Sequence, residues 1–174
     1  FAADLKRSLP RIPRVEAVDF AAFSEAGQRL LDLHIGYEDV EPWPLTVTGD
    51  EPPAGEDPYA WFRVEKLKWG GSARDKDRSR IVYNPRVSIT GIPDEAHEYL
   101  LGSRTALEWV VDRYQVKTDK PSGIVNDPND YAREVGNPRY ILDLIAKVTR
   151  VSVETVQIVN ALPPLRIVDT ERGR

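Results

Sequence analysis

The chain has 174 residues, 41% of them hydrophobic and 30% charged, with a formal net charge of −4, which suits one globular domain with its own core. It contains no cysteine, which excludes disulfides, a thiol nucleophile and thiolate metal sites and agrees with a reducing, cytoplasmic setting. No apolar run approaches the ~20 residues of a membrane span, so no membrane partner is expected.

Methionine is absent and the chain opens at Phe1, so it reads as a fragment of a longer polypeptide. Asp4 to Pro13 is a polar lead-in whose two prolines interrupt any helix. An amphipathic helix follows, with Asp19 as the expected N-cap and Phe23, Ala26, Leu30, Leu33 and Tyr37 at spacings of three and four. Gly36 is its stop signal, and His34 falls in its last turn. Glu41 to Pro58 carries five prolines, two glycines and a run of acidic residues, and is expected to be an exposed connector.

The pattern then changes to strand. Trp61 to Trp69 is β-prone with imperfect alternation, Gly70-Gly71-Ser72 breaks it, and Ile81–Tyr83 and Val87–Ile89 resume it. Between Arg63 and Thr90 stand eight basic residues against three acidic ones. Because screening confines charge to about 8–10 Å, such a local excess can hold phosphate on an acidic chain. The simplest reading of the strands is a β-ribbon with a long polar, basic tip; for the charge excess, a solvated mixed-charge loop ranks ahead of a phosphate site.

The second half is helical. Pro93 begins a short helix through Leu101, closed by Gly102. Thr105 and Glu108 suit a capping box for a helix with Ala106, Leu107, Val110, Val111 and Tyr114 inward. Gln115 to Gly136 is a long Lys-, Asp- and Asn-rich loop. Asn137 is expected to cap one helix and Ser152 a further one, which Pro163-Pro164 ends. The fold class is therefore α+β: a small antiparallel sheet or ribbon packed against about five helices, with residues 1–18 as lead-in and 166–174 as a flexible tail.

Catalytic signals are missing. No phosphate-cradling loop or glycine fingerprint for a dinucleotide or S-adenosylmethionine is present. Asn84-Pro85-Arg86 and Asn137-Pro138-Arg139 begin like the Asn-Pro-Pro-aromatic motif of amino-methyltransferases, but arginine replaces the second proline. An arginine there brings the wrong backbone and the wrong charge. His34 and His97 are expected on separate helices and make no metal pair, while Asp127 and Asp130 suit loop turns better than a cation.

The run Ala106-Leu107-Glu108-Trp109-Val110, then Arg113-Tyr114-Gln115-Val116-Lys117-Thr118-Asp119-Lys120 and Ser122-Gly123-Ile124-Val125-Asn126-Asp127-Pro128-Asn129-Asp130, resembles the C-terminal specificity domain of Type ISP restriction–modification enzymes. So do Asn137-Pro138-Arg139-Tyr140-Ile141-Leu142-Asp143-Leu144 and the stretch from Val151 to Pro163, while Phe1 to Pro13 is similar to the junction with a preceding methyltransferase domain. The resemblance implies a module that reads duplex DNA and positions it for the adenine methyltransferase, ATPase and nuclease of the same polypeptide. It also implies that S-adenosylmethionine, ATP and magnesium belong to those upstream domains and that this chain carries no catalytic residue and no cofactor. The DNA-facing candidates are Lys66, Lys68, Arg74, Lys76, Arg78, Arg80 and Arg86 on the ribbon. Gln115, Lys117, Lys120, Asn126 and Asn129 join them from the long loop. The alternative is a non-catalytic module that docks a partner enzyme through an exposed apolar patch, for which Trp43, Trp61 and Trp69 are the candidates.

Overall fold

A computed structural model describes residues 13–168; the lead-in up to Ile12 and the tail from 169 onward lie outside them. Helices are α1 (Ala17–Ile35), α2 (Pro58–Trp61), α3 (Ala106–Arg113), α4 (Asn129–Glu134) and α5 (Tyr140–Asn160). Strands β1 (Thr46–Thr48), β2 (Lys68–Gly71), β3 (Lys76–Val82) and β4 (Ser88–Thr90) form one antiparallel sheet in the order β1-β4-β3-β2. Two short hairpins, β5 (Leu100–Leu101) with β6 (Arg104–Thr105) and β7 (Lys117–Thr118) with β8 (Val125–Asn126), complete an α+β fold.

Register explains the core. Trp69, Ile81, Ile89 and Val47 are successive cross-strand partners, so one row of apolar side chains crosses all four strands. Ile81 and Ile89 are fully buried and share a cluster with Leu67, Tyr83, Leu107, Val110, Ile141 and Ile145, which joins the sheet to α3 and α5. The neighbouring positions Lys68, Arg80, Ser88, Thr90 and Thr46 take the opposite face, as the two-residue period requires. The capping box is formed: Thr105 Oγ1 accepts from the Glu108 amide at 3.1 Å, and the Glu108 carboxylate accepts from the Thr105 amide at 2.9 Å.

Several expectations are corrected. Helix α1 starts two residues earlier than Asp19, whose buried carboxylate pairs with Arg166. Of the span expected as a tail, Ile167 bridges Val15, and the residues from 169 onward lie outside the described ones. Trp61 to Leu67 is not a strand: Trp61 closes α2, and the backbone beyond it is held by side chains from elsewhere. The span expected to be helix from Pro93 to Leu101 is a 3-10 turn, Asp94–His97, followed by β5. A strand, β1, stands inside the proline-rich connector.

The two helices expected around Ser152 are one helix of 21 residues. Ser152 donates its hydroxyl to the Val148 carbonyl at 2.7 Å, as Thr149 does to Ile145 at 2.8 Å. These bonds let hydroxyl residues sit inside a buried helix instead of starting a new one.

Candidate nucleic-acid interface

The ribbon is shorter and tighter than its composition suggests. Its turn runs Ser72 to Asp75, closed by the Ser72 amide donating to the Asp75 carbonyl at 2.8 Å and the Asp75 amide to Ser72 Oγ at 3.1 Å. Gly71 enters the turn with φ +73°, where a β-carbon would run into the Asp75 carbonyl and the Asp77 nitrogen. Below the turn the register slips: Trp69 faces Ile81, but Gly70 faces Asp77. Arg78, Ser79 and Arg80 are thus extra on β3 relative to β2, an irregular three-residue bulge. The Arg80 stem lies over Gly70, so close that a methyl group there would meet it at 3.1 Å. Arg78 turns to α3 and pairs with Glu108 at 2.8 Å.

Between the edge strand β2 and α3 lies a cleft of about 690 Å³. Lys66, Lys68, Trp69, Gly71, Ser72 and Lys76 line one side; Ser103, Arg104, Glu108, Val111, Asp112 and Gln115 line the other. Lys66 is tied to Gln115 by an antiparallel β-bridge. The two acids on the α3 side are each matched by an arginine, Glu108 by Arg78 and Asp112 by Arg104 at 3.1 Å. Among the described residues Lys66, Lys68 and Lys76 hold no salt bridge, and neither do Arg74 and Arg80. The charged side chains lining the cleft are thus Lys66, Lys68, Lys76 and Arg104 against Glu108 and Asp112, a local excess of positive charge.

The remaining candidates divide. Arg74 is exposed at the turn, and Lys117, Lys120 and Asn126 are exposed on the β7–β8 hairpin. That hairpin's own turn is fixed by Asp119, whose carboxyl is held below the usual range by hydrogen bonds from the Ser122 hydroxyl and amide. Arg86 stands apart, in the β3–β4 turn at the opposite end of the strands from the ribbon tip, with its guanidinium 5.1 Å from the centre of the Trp61 ring. Asn129 is corrected outright. It is buried, and its amide bonds both the amide and the carbonyl of Val64, each at 2.8 Å. Its side chain is taken up by bonds inside the fold.

Arg104 and Arg113 were not singled out by sequence. Both guanidiniums lie against the Trp109 ring, at 5.1 and 5.2 Å from its centre. The four-residue spacing of Trp109 and Arg113 on one helix was a usable signal for half of this stack. The Arg104 half depends on the β5–β6 hairpin and was not visible.

Both Asn-Pro-Arg segments are turns. Asn84 Oδ1 accepts from the amides of Arg86 and Val87, each at 2.8 Å, and Asn137 Oδ1 accepts from the Arg139 amide at 2.9 Å. Trp43, Trp61 and Trp69 are half-buried against the core, so they offer no open patch to a partner.

A family model described as the Type ISP C-terminal specificity domain matches residues 1–144. A nuclease-deletion mutant of the Type ISP restriction–modification enzyme LlaGI, in complex with a DNA substrate mimic, has a similar structure: TM-score 0.79 and 38% identity over 97% of this chain and 15% of that one. The ATP-dependent Type ISP enzyme LlaBIII bound to DNA gives 0.80 and 34%, covering 96% of this chain and 10% of that one. A DrdV–DNA complex gives 0.71 and 37%, covering 93% and 16%. No curated protein matches the chain. The chain thus spans 10–16% of the length of these three structural relatives.

Proposed function

This chain belongs to the Type ISP C-terminal specificity domain family, and on that premise we propose that its cationic cleft and ribbon tip are what engage duplex DNA. The observation that carries the reading is the set of three lysines without ion pairs, Lys66, Lys68 and Lys76, beside a ribbon whose tip bears Arg74. Lysines of this kind exchange counterions for phosphates and fix the register of the duplex without reading it. A two-stranded ribbon fits the major groove, where an arginine can pair both donors with guanine. Arg74 and Arg80 are the base-reading candidates on the ribbon, and Lys117, Lys120 and Asn126 extend the same contact from the β7–β8 hairpin. Arg78 is placed second because Glu108 already holds it.

The domain recognises its site and leaves the chemistry to other parts of its polypeptide. An upstream adenine methyltransferase with S-adenosylmethionine, and an ATPase and nuclease with ATP and magnesium, belong to that larger protein, which works in the cytoplasm. What supports this is the family and the small share of each relative's chain that this domain represents.

The test is duplex binding by the parent polypeptide between 50 and 200 mM salt. Replacing Lys66, Lys68 and Lys76 together with alanine removes three phosphate contacts, which lowers the log–log salt slope by about 2.7. The affinity lost across that salt range then shrinks by a factor of about 40, for cognate and unrelated duplexes alike. Arg86→Ala serves as the control and leaves the slope unchanged. An unchanged slope in the triple variant would remove the cleft from the interface.

A further inference from the structure

The bulge on β3 is fastened to three other parts of the fold. Glu108 on α3 uses one carboxylate oxygen for the capping box, accepting from the Thr105 amide at 2.9 Å. Its other oxygen pairs with the Arg78 guanidinium at 2.8 Å. From the 3-10 turn, His97 Nε2 donates to the Arg78 carbonyl at 3.1 Å. The next carbonyl, that of Ser79, accepts from the Ile92 amide at 3.2 Å. The His97 bond leaves something unpaired. A carbonyl only accepts, so in the neutral ring the proton sits on Nε2 and Nδ1 is bare. Among the described residues, Nδ1 is the one buried side-chain nitrogen or oxygen without a hydrogen-bond partner. An edge contact with Trp69, ring centres 5.4 Å apart, keeps the imidazole in this orientation. An unpartnered buried acceptor destabilises a fold, so stability alone does not account for a histidine here.

We propose that Glu108 and His97 are positioning residues for DNA recognition, which hold the bulge so that the ribbon tip meets the duplex in one orientation. Neither has to touch DNA. A reading side chain needs neighbours that keep it within about 0.5 Å of its productive place and are themselves locked. Arg74 stands at the end of a two-stranded projection whose base is a three-residue irregularity, where such a ribbon would otherwise hinge. Arg78 is the strut across that point, which accounts for an arginine of a basic ribbon being given to a carboxylate. The Arg80 stem, packed over Gly70, takes its place from the same bulge. This inference rests on the proposed role of the ribbon tip in DNA binding, and it adds residues that act on specificity through Arg74 and Arg80.

Two substitutions in the parent polypeptide cut these ties. Glu108→Gln keeps a capping-box residue for Thr105 but takes the carboxylate from Arg78. His97→Phe keeps a ring against Trp69, removes the bare nitrogen and withdraws the donor from an Arg78 carbonyl that is open to water. Each variant methylates genomic DNA free of adenine methylation, and the modified positions are sequenced. Binding to a random-sequence duplex across the same salt range and thermal unfolding accompany it. Methylation at sites one base away from the preferred sequence is expected to rise about tenfold relative to the preferred one, the discrimination of one base contact. Salt slope and melting temperature are expected to stay as in the parent. Unchanged site choice in both variants would overturn the proposal. So would relaxed choice accompanied by a melting temperature more than about 5 °C lower, the mark of a merely structural role. A salt slope steeper by about one in Glu108→Gln would also overturn it, because Arg78 would then be a phosphate ligand that the carboxylate withholds. The lysine cleft is judged by the slope of its own triple variant, so failure of that reading is distinguishable from failure of this one.

Discussion

Asn129→Ala separates a structural asparagine from a DNA-reading one. In the fold, Asn129 ties the start of α4 to Val64, 65 residues away, by accepting from the Val64 amide and donating to its carbonyl, both at 2.8 Å. Val64 is completely buried, so water cannot replace either bond. Alanine leaves one amide and one carbonyl without a partner, and each such group costs about 1–3 kcal/mol. The loss is then about 4 kcal/mol, a large part of the roughly 5–15 kcal/mol that holds a domain together. For a domain of this size it lowers Tm by about 8–16 °C. Urea and thermal unfolding followed by circular dichroism would measure it, with the m-value unchanged. Below its melting range, the same substitution in the parent enzyme should leave the choice of methylation site as it was. A variant that melts within about 2 °C of the parent, or that relaxes site choice while fully folded, would refute the reasoning.

The same node predicts a pH dependence. Burial pushes the Asp127 carboxyl up, but hydrogen bonds from Asn129 and from Arg63 at 2.8 Å outweigh it and hold the carboxyl below the usual range. A carboxyl lowered by folding contributes stability that is present above its unfolded value of about 3.9 and is lost as pH falls through the folded value. Asp127→Asn should therefore flatten the acid side of the stability profile, and an unaltered acid limb would count against this assignment. Gly71→Ala and Gly102→Ala both place alanine at φ near +70°, a strain of about 1–2 kcal/mol. Only Gly71 also faces backbone at its missing β-carbon, whereas Gly102 faces open space. Unfolding experiments should find Gly71→Ala the more destabilising, and equal costs would mean that the ribbon turn is not as tight as described.

The parts of the fold that were legible in the sequence are those set by local rules. The α3 capping box needs only Thr105 and Glu108 three residues apart, and the inward residues of α1 and α5 follow helical spacing. What was not legible depends on distant partners. Phe62 to Val64 looks like strand because its residues are β-prone, yet its backbone is held by Tyr83 Oη, Asn84 Nδ2 and the Asn129 amide. Strand β1 is three residues long within a proline-rich acidic stretch and exists because Val47 has Ile89 to pair with. The site divides in the same way. Clustered lysines could be read from the chain, but whether an arginine is free or already paired depends on α3, which gives Glu108 to Arg78.

The register slip beside Trp69 has a mechanical consequence. Three additional residues on β3 take up the mismatch between the ribbon and the sheet beneath it. The apolar row of Trp69, Ile81, Ile89 and Val47 is thereby insulated from events at the tip. The slack is not free chain, because Gly71 is held against Asp75, Arg78 by Glu108 and Arg80 by its pairing with Thr90, which leaves Ala73 and Arg74 at the tip as the unconstrained positions. A residue exchanged at Ala73 or Arg74 therefore leaves both the turn hydrogen bonds between Ser72 and Asp75 and the sheet beneath them in place.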